Sequence, residues 1–126
     1  MKIISKEVIV DCAGIRIIKL SLIAPEISRK AGAGQFVVVM PTEKGERIPL
    51  TIVDVDSNAG SISIIFQETG LTTKVLGALS VGDSLYALVG PLGHPTEIKN
   101  YGKVILVGGG VGVAEILPVM ATKLLW

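Results

Sequence analysis

Four glycines carry the clearest chemical signal in this chain. Gly108, Gly109, Gly110 and Gly112 follow the apolar run Lys103-Val-Ile-Leu-Val107 and precede a stretch of helical period. A strand that ends in glycines and opens a helix presents backbone N–H groups and a positive helix end to an anion, commonly a nucleotide phosphate. The spacing is not G-x-G-x-x-G: counted from Gly108 the last position is Val113, and counted from Gly110 it is Glu115. No Lys-Ser or Lys-Thr follows, which removes a Walker A loop. A phosphate site and a tight turn without ligand both remain open.

Two further segments could bind a ligand. In Arg47-Ile-Pro-Leu-Thr-Ile52 a basic residue, a proline that cannot join a strand ladder and a hydroxyl lie on one strand. Groups freed by Pro49 could face a flat ring, and Thr51 could donate to a ring nitrogen; the alternative is an edge strand with a routine proline. In Gly70-Leu-Thr-Thr73, Thr72 and Thr73 open a short helix, where unpaired N–H groups offer either a second anion site or ordinary capping. His94 is the only histidine and Cys12 the only cysteine, so a triad, a disulfide framework or a cysteine-held metal is hard to build within this chain. The carboxylates Glu43, Glu46, Asp54, Asp56 and Glu68 fall near turns and strand ends and read as solvated.

The elements that must position these residues follow from pattern. The chain has 126 residues, 49% hydrophobic and 18% charged, with net charge +1. That size suits one domain, or one domain and part of a second. The balance does not recruit nucleic acid or an anionic membrane. The charged N-terminus is no signal peptide and no apolar run reaches membrane length, so a soluble cytoplasmic protein is expected.

Six short strands are predicted: Lys2 to Val10, Ile15 to Leu22, Gly34 to Met40, Arg47 to Val55, Ser61 to Gln67 and Ser84 to Val89. A phase slip at Ile17-Ile18 predicts a bulge. Ala24-Pro-Glu26 reads as a strand breaker. Ser61 and Ser63 are expected to face out, with Ile62, Ile64 and Phe66 facing in. One short helix is predicted over Gly70 to Leu79, with Leu71, Val75 and Leu79 on one face. Together these make a mainly β protein, a six-stranded antiparallel Greek-key barrel with one short helix. After a polar connector at residues 97–102, residues 103–107 read as a buried parallel strand. Residues 112–126 read as a helix with Ile116, Val119, Met120 and Leu124 on one side, bent or confined by Pro118. This is the first β–α unit of a truncated α/β nucleotide-binding domain. The domain division is 1–98 and 99–126.

The order of the pieces is more specific than any one of them. Gly34-Gln-Phe-Val, Arg47-Ile-Pro-Leu-Thr-Ile, Gly70-Leu-Thr-Thr, Gly90-Pro-Leu-Gly and Val107-Gly-Gly-Gly-Val-Gly-Val-Ala run in sequence. The series resembles the ferredoxin–NADP reductase superfamily. Within it, the chain is similar to electron-transfer subunits of the dihydroorotate dehydrogenase type and to the α subunit of NADH-dependent ferredoxin:NADP oxidoreductase, also called the sulfide dehydrogenase β subunit.

The resemblance implies that residues 1–98 are an FAD-binding barrel. It implies that Pro49, Leu50 and Thr51 contact the flavin, and that Gly70, Thr72 and Thr73 hold the FAD pyrophosphate. It implies that Gly108, Gly109, Gly110 and Gly112 begin an NAD(P)-binding domain. The full-length protein would pass electrons between NAD(P)H, FAD and a [2Fe–2S] centre, working with ferredoxin and a larger flavin or iron–sulfur partner subunit. Only the first half of such a subunit is expected here, so this chain alone is not expected to turn over.

Two positions depart from the family. Many relatives place an Arg directly before the Pro, where this chain has Ile48, with Arg47 one residue earlier and hence on the other strand face. The usual Pro after Ala114 is Glu115, whose charge would repel an incoming dinucleotide. The alternative reading is a truncated, non-catalytic barrel acting as an assembly module, self-associating through an apolar helix that ends Leu124-Leu-Trp126.

Overall fold

A computed structural model describes the backbone of residues 1–124 and the side chains of residues 1–121. Six antiparallel strands form one sheet: β1 (Ile3–Cys12), β2 (Ile15–Ile23), β3 (Phe36–Met40), β4 (Ile48–Asp56), β5 (Ser61–Gln67) and β6 (Ala87–Leu92). Their order is β1-β2-β5-β4-β3-β6, a Greek-key order. One end of the sheet closes on itself. Lys2 bridges to Ser84, the Ile3 N–H donates to the Asp83 carbonyl at 2.8 Å, and the Leu85 N–H donates to the Met1 carbonyl at 3.2 Å. Closure of this kind removes an exposed strand edge.

The core lies inside the curved sheet. Ile3, Ile18, Leu20, Leu22, Val37, Val39, Ile62, Ile64 and Leu76 are fully buried there, with Phe66 beside them. Strand alternation explains the set. Leu20 pairs with Ile64 and Leu22 with Ile62 across β2 and β5, so one face of both strands is apolar. The bulge predicted at Ile17-Ile18 is present at that point, but the extra residue is on the partner strand: Val8 faces Ile18, Val10 faces Ile17, and Ile9 is left over on β1. The β2–β5 register runs through without a shift.

Several expectations need correction. Ala24-Pro-Glu26 does not merely break a strand; Pro25 begins α1 (Pro25–Lys30). A proline at the first helical position removes an N–H that has no partner anyway. Glu26 in the first turn and Arg29 and Lys30 in the last suit the helix dipole. Ser61 and Ser63 do take the face opposite Ile62 and Ile64, but they are buried there instead of solvated. β5 is flanked by β2 and β4 and contacted by α1, and the Ser63 and Ser21 hydroxyls hydrogen-bond at 2.8 Å.

The last strand begins later than expected and runs through Gly90-Pro91, which is joined by a cis peptide. Gly90 is there for close approach: a Cβ would stand 2.7 Å from Val37 Cγ1 and 3.2 Å from the Phe36 carbonyl. The short helix is α2 (Leu71–Ala78), but its inward face differs from the predicted one. Leu76 and Gly77 are buried, and Leu71 is 81% exposed.

The segment at residues 103–107 is not a strand. No described strand pairs with it, and Ile105 and Val107 are 88% and 84% exposed. An apolar run becomes a strand only when a neighbour completes its ladder. A 3₁₀ turn (Gly110–Gly112) leads into α3 (Val113–Leu124), which continues through Pro118 and packs against β4. The predicted place of the Leu124 side chain and of Leu125 and Trp126 lies outside the described residues. No helix among the described residues is long and apolar enough to cross a membrane.

Candidate functional site

β4 sorts its side chains by parity. Leu50 pairs with Val37 and Ile48 with Val39, two fully buried residues, so Ile48, Leu50 and Ile52 lean into the core. Pro49 and Thr51 pair with Val38 and Phe36 and take the outer face. Arg47 immediately precedes the strand and is exposed, and the same alternation places it outward with Pro49 and Thr51. The one-residue offset of this arginine therefore puts position 48 toward the core and leaves the outward position to Arg47.

α2 begins at an N-cap glycine. Gly70 is extended, and no side-chain hydrogen bond caps the helix start. A full capping box needs a side chain at both ends, and glycine has none, so only half of one forms. Thr73 Oγ1 accepts the N–H groups of Thr69 and Gly70, each at 2.9 Å. The first N–H groups of the helix itself, on Leu71, Thr72 and Thr73, have no intrahelical acceptor. Thr72 Oγ1 reaches Glu46 Oε2 at 3.4 Å, so the segment just before Arg47 touches the first turn of α2.

The other end of this region is clamped. Arg16 Nη1 donates to Glu68 Oε1 at 2.7 Å, with the Glu68 side chain only 13% exposed, and the Glu68 N–H donates to the Arg16 carbonyl at 2.9 Å. Lys6 Nζ donates to the Gly77 and Leu79 carbonyls at 2.6 and 2.8 Å, at the C-terminal end of α2.

A cleft of about 240 Å³ lies where these parts meet. Pro49, Leu50 and Thr51 of β4 line it together with Ile65, Phe66 and Gln67 of β5, Thr69, Thr73, and Val111, Ala114 and Glu115 from the glycine loop and α3. The sequence-predicted Pro49, Leu50, Thr51 and Thr73 are thus brought to one place. Gly70 stands at the N-cap of α2, and Thr72 lines a neighbouring pocket with residues of the 41–46 segment. Arg47 and the four glycines are not among the cleft's lining residues. Gly108 packs closely on α3, where a Cβ would stand 3.1 Å from Ile116 Cδ1 and from Val113 Cα. Gly110 has φ +58°, and the Gly112 N–H donates to the Gly109 carbonyl at 3.1 Å.

Sequence reasoning missed the β5 wall. The signal was available, because the turn at residues 56–60 makes β4 and β5 a hairpin, and the cross-strand partners of a site strand are site candidates.

No protein-family profile matches the chain. The dihydroorotate dehydrogenase B electron-transfer subunit homologue of Thermotoga maritima is 48% identical over 96 residues, which is 76% of this chain and 34% of that protein. The corresponding subunit of Geobacillus thermodenitrificans is 31% identical over 122 residues, 92% of this chain and 46% of that protein. The solved structure of an NADH-dependent reduced ferredoxin–NADP oxidoreductase superposes with a TM-score of 0.91 at 40% identity, covering 97% of this chain and 43% of that one. The chain belongs to the ferredoxin–NADP reductase superfamily.

Ferredoxin–NADP+ reductase of Plasmodium falciparum shares the superfamily fold alone, with a TM-score of 0.78 at 16% identity. The chain spans less than half the length of the Thermotoga and Geobacillus relatives and of the 40% identical solved structure. It is homologous to part of an oxidoreductase electron-transfer subunit of this superfamily.

Proposed function

We propose that this chain is the FAD-binding part of an electron-transfer oxidoreductase subunit. In the full-length protein, electrons would pass between NAD(P)H, FAD and a [2Fe–2S] centre, and on to ferredoxin or a larger flavin or iron–sulfur partner subunit. The observation that carries this reading is the meeting of Pro49, Leu50, Thr51 and Thr73 with the glycine-loop end of α3 around one cleft, beside a helix start that no side chain caps.

The residues fit the cofactor. Pro49 and Ile65 give apolar surface for a flat ring, and Thr51 supplies a hydroxyl that can donate to a ring nitrogen. The uncapped N–H groups of Leu71, Thr72 and Thr73 suit a pyrophosphate, and α2 puts the positive end of its dipole there. Arg47, outward and one residue after Glu46, whose carboxylate accepts from the Thr72 hydroxyl, would supply the counter-charge for a phosphate there. Bound flavin would do the hydride chemistry, while these residues hold and orient it. Gly108, Gly109, Gly110 and Gly112 would contribute to the nicotinamide nucleotide's phosphate site.

Iron is a different matter. The chain has one cysteine, and no group of three metal-binding side chains occurs among the described residues. This chain's residues do not fit a four-cysteine cluster, so that centre is assigned to the full-length protein.

The test is cofactor uptake. Purified protein is expected to quench FAD fluorescence with a micromolar or tighter dissociation constant and to release FAD on denaturation. Colourless protein that takes up no FAD at micromolar concentration would sink the reading. It would favour the assembly-module alternative, to which the exposed Ile105 and Val107 point.

A further inference from the structure

We infer that Glu115 lowers the reduction potential of the flavin held in this cleft, an inference that rests on the FAD reading above. Among the described residues eleven line the cleft, and Glu115 is the only ionisable one of them. Lys44 and Arg47 lie in the segment leading into β4 and do not line it. The backbone that carries the carboxylate is fixed by its helix. Glu115 follows Ala114, which is 7% exposed, in the first turn of α3, and α3 packs on β4, the strand that carries Pro49–Thr51.

An acidic residue in a first helical turn is ordinarily explained by the helix dipole. That accounts for a charge at the start of α3. It does not account for a charge that lines a cleft otherwise made of apolar, hydroxyl and amide side chains.

The electrostatic consequence follows from the half-reaction. Reduction at pH 7.5 takes FAD, two electrons and one proton to FADH⁻, so the ring gains one negative charge. A nearby carboxylate raises the free energy of that product relative to the oxidised ring. With no cation among the lining residues to offset it, Glu115 makes the bound flavin a stronger reductant. That suits delivery to a low-potential one-electron acceptor, the class to which iron–sulfur centres belong. Glu115 is here a positioning charge; it need not touch the reacting atoms.

The experiment measures the potential of the FAD-loaded chain by dithionite titration against a reference dye at pH 7.5, beside the FAD dissociation constant. Glu115→Gln is expected to shift the reduced-to-oxidised equilibrium toward reduced flavin about tenfold, which is about 30 mV for a two-electron couple. Glu115→Asp, which keeps the charge, is expected to stay near wild type. Glu115 is exposed, so neither change disturbs the core. A Glu115→Gln protein that binds FAD and shows the wild-type potential overturns the inference while leaving the FAD reading intact. A lower melting temperature of the apoprotein with no change in potential also overturns it, because that is the signature of the helix dipole alone. Failure of the wild type to take up any FAD overturns both.

Discussion

Gly77 shows how a single missing side chain holds this site together. It lies in α2 and is buried, and a Cβ there would overlap the carboxylate of Glu68 and stand 3.0 Å from Ile18 Cδ1. Alanine would improve intrinsic helix propensity by about 1 kcal/mol. It would also have to displace a largely buried carboxylate from Arg16, and overpacking of this kind costs about 1–3 kcal/mol. The steric term wins because Ile18 is fully buried and cannot give way. Gly77→Ala is expected to destabilise the protein by up to about 2 kcal/mol net of the propensity gain, read as a lower urea midpoint at unchanged slope; a higher midpoint would mean that Glu68 moves at little cost. Arg47 acts in the other direction, on the ligand rather than the fold. A charge-assisted hydrogen bond is worth about 1.5–3 kcal/mol, so Arg47→Ala is expected to weaken FAD binding about tenfold or more. Because Arg47 is exposed, the same change should leave the urea midpoint within about 0.5 kcal/mol of wild type. An unaltered FAD affinity would remove Arg47 from the phosphate site.

At the scale of elements, α2 is held at one end and open at the other. Lys6 of β1 satisfies two carbonyls at its C-terminal end, while its N-terminal N–H groups have no side-chain cap. Lys6→Met removes both hydrogen bonds and a charge favourable to the dipole, worth about 1–2 kcal/mol together. Amide hydrogen exchange in α2 is expected to speed up about tenfold as a result. FAD affinity should change less than about threefold, because the opened helix is still a minority state. A large loss of affinity would mean that Lys6 sets the helix's position as well as its stability. The strand that carries Pro49 and Thr51 was legible because period-2 alternation and the four-residue turn that follows it fix a hairpin's faces. The short helices were less so. Pro25 carries the same signal whether it ends a strand or starts a helix, and only the following turn decides. Leu71 looked like a core residue because apolar spacing cannot tell which of two faces a helix of eight residues will bury. Residues 103–107 have the composition of a buried strand, but a ladder depends on a neighbour that a local pattern does not contain. The meeting of Thr73 with Thr51 depends on the β3–β4–β5 register and the Arg16–Glu68 clamp, contacts between residues tens of positions apart.

At the scale of the molecule, a barrel that keeps one helix start uncapped should gain stability from whatever fills that place. A ligand that binds only the folded state stabilises it by RT ln(1 + [L]/Kd), about 2.7 kcal/mol at a hundred times Kd. For a domain of this size that is a rise in melting temperature of roughly 10 °C. The amount should track phosphate content, since the ring and the pyrophosphate are assigned to different parts of the site. Riboflavin can use only the wall made by Pro49, Thr51 and Ile65. FMN adds one phosphate, and FAD adds a second phosphate that the N–H groups of α2 and the Arg47 guanidinium can meet. Thermal melts at equal ligand concentration are therefore expected to rise in the order riboflavin, FMN, FAD. In Arg47→Ala the gap between FAD and riboflavin should narrow while the riboflavin melt stays put. Equal shifts for all three ligands would place binding in the ring cleft alone and leave the start of α2 without a ligand.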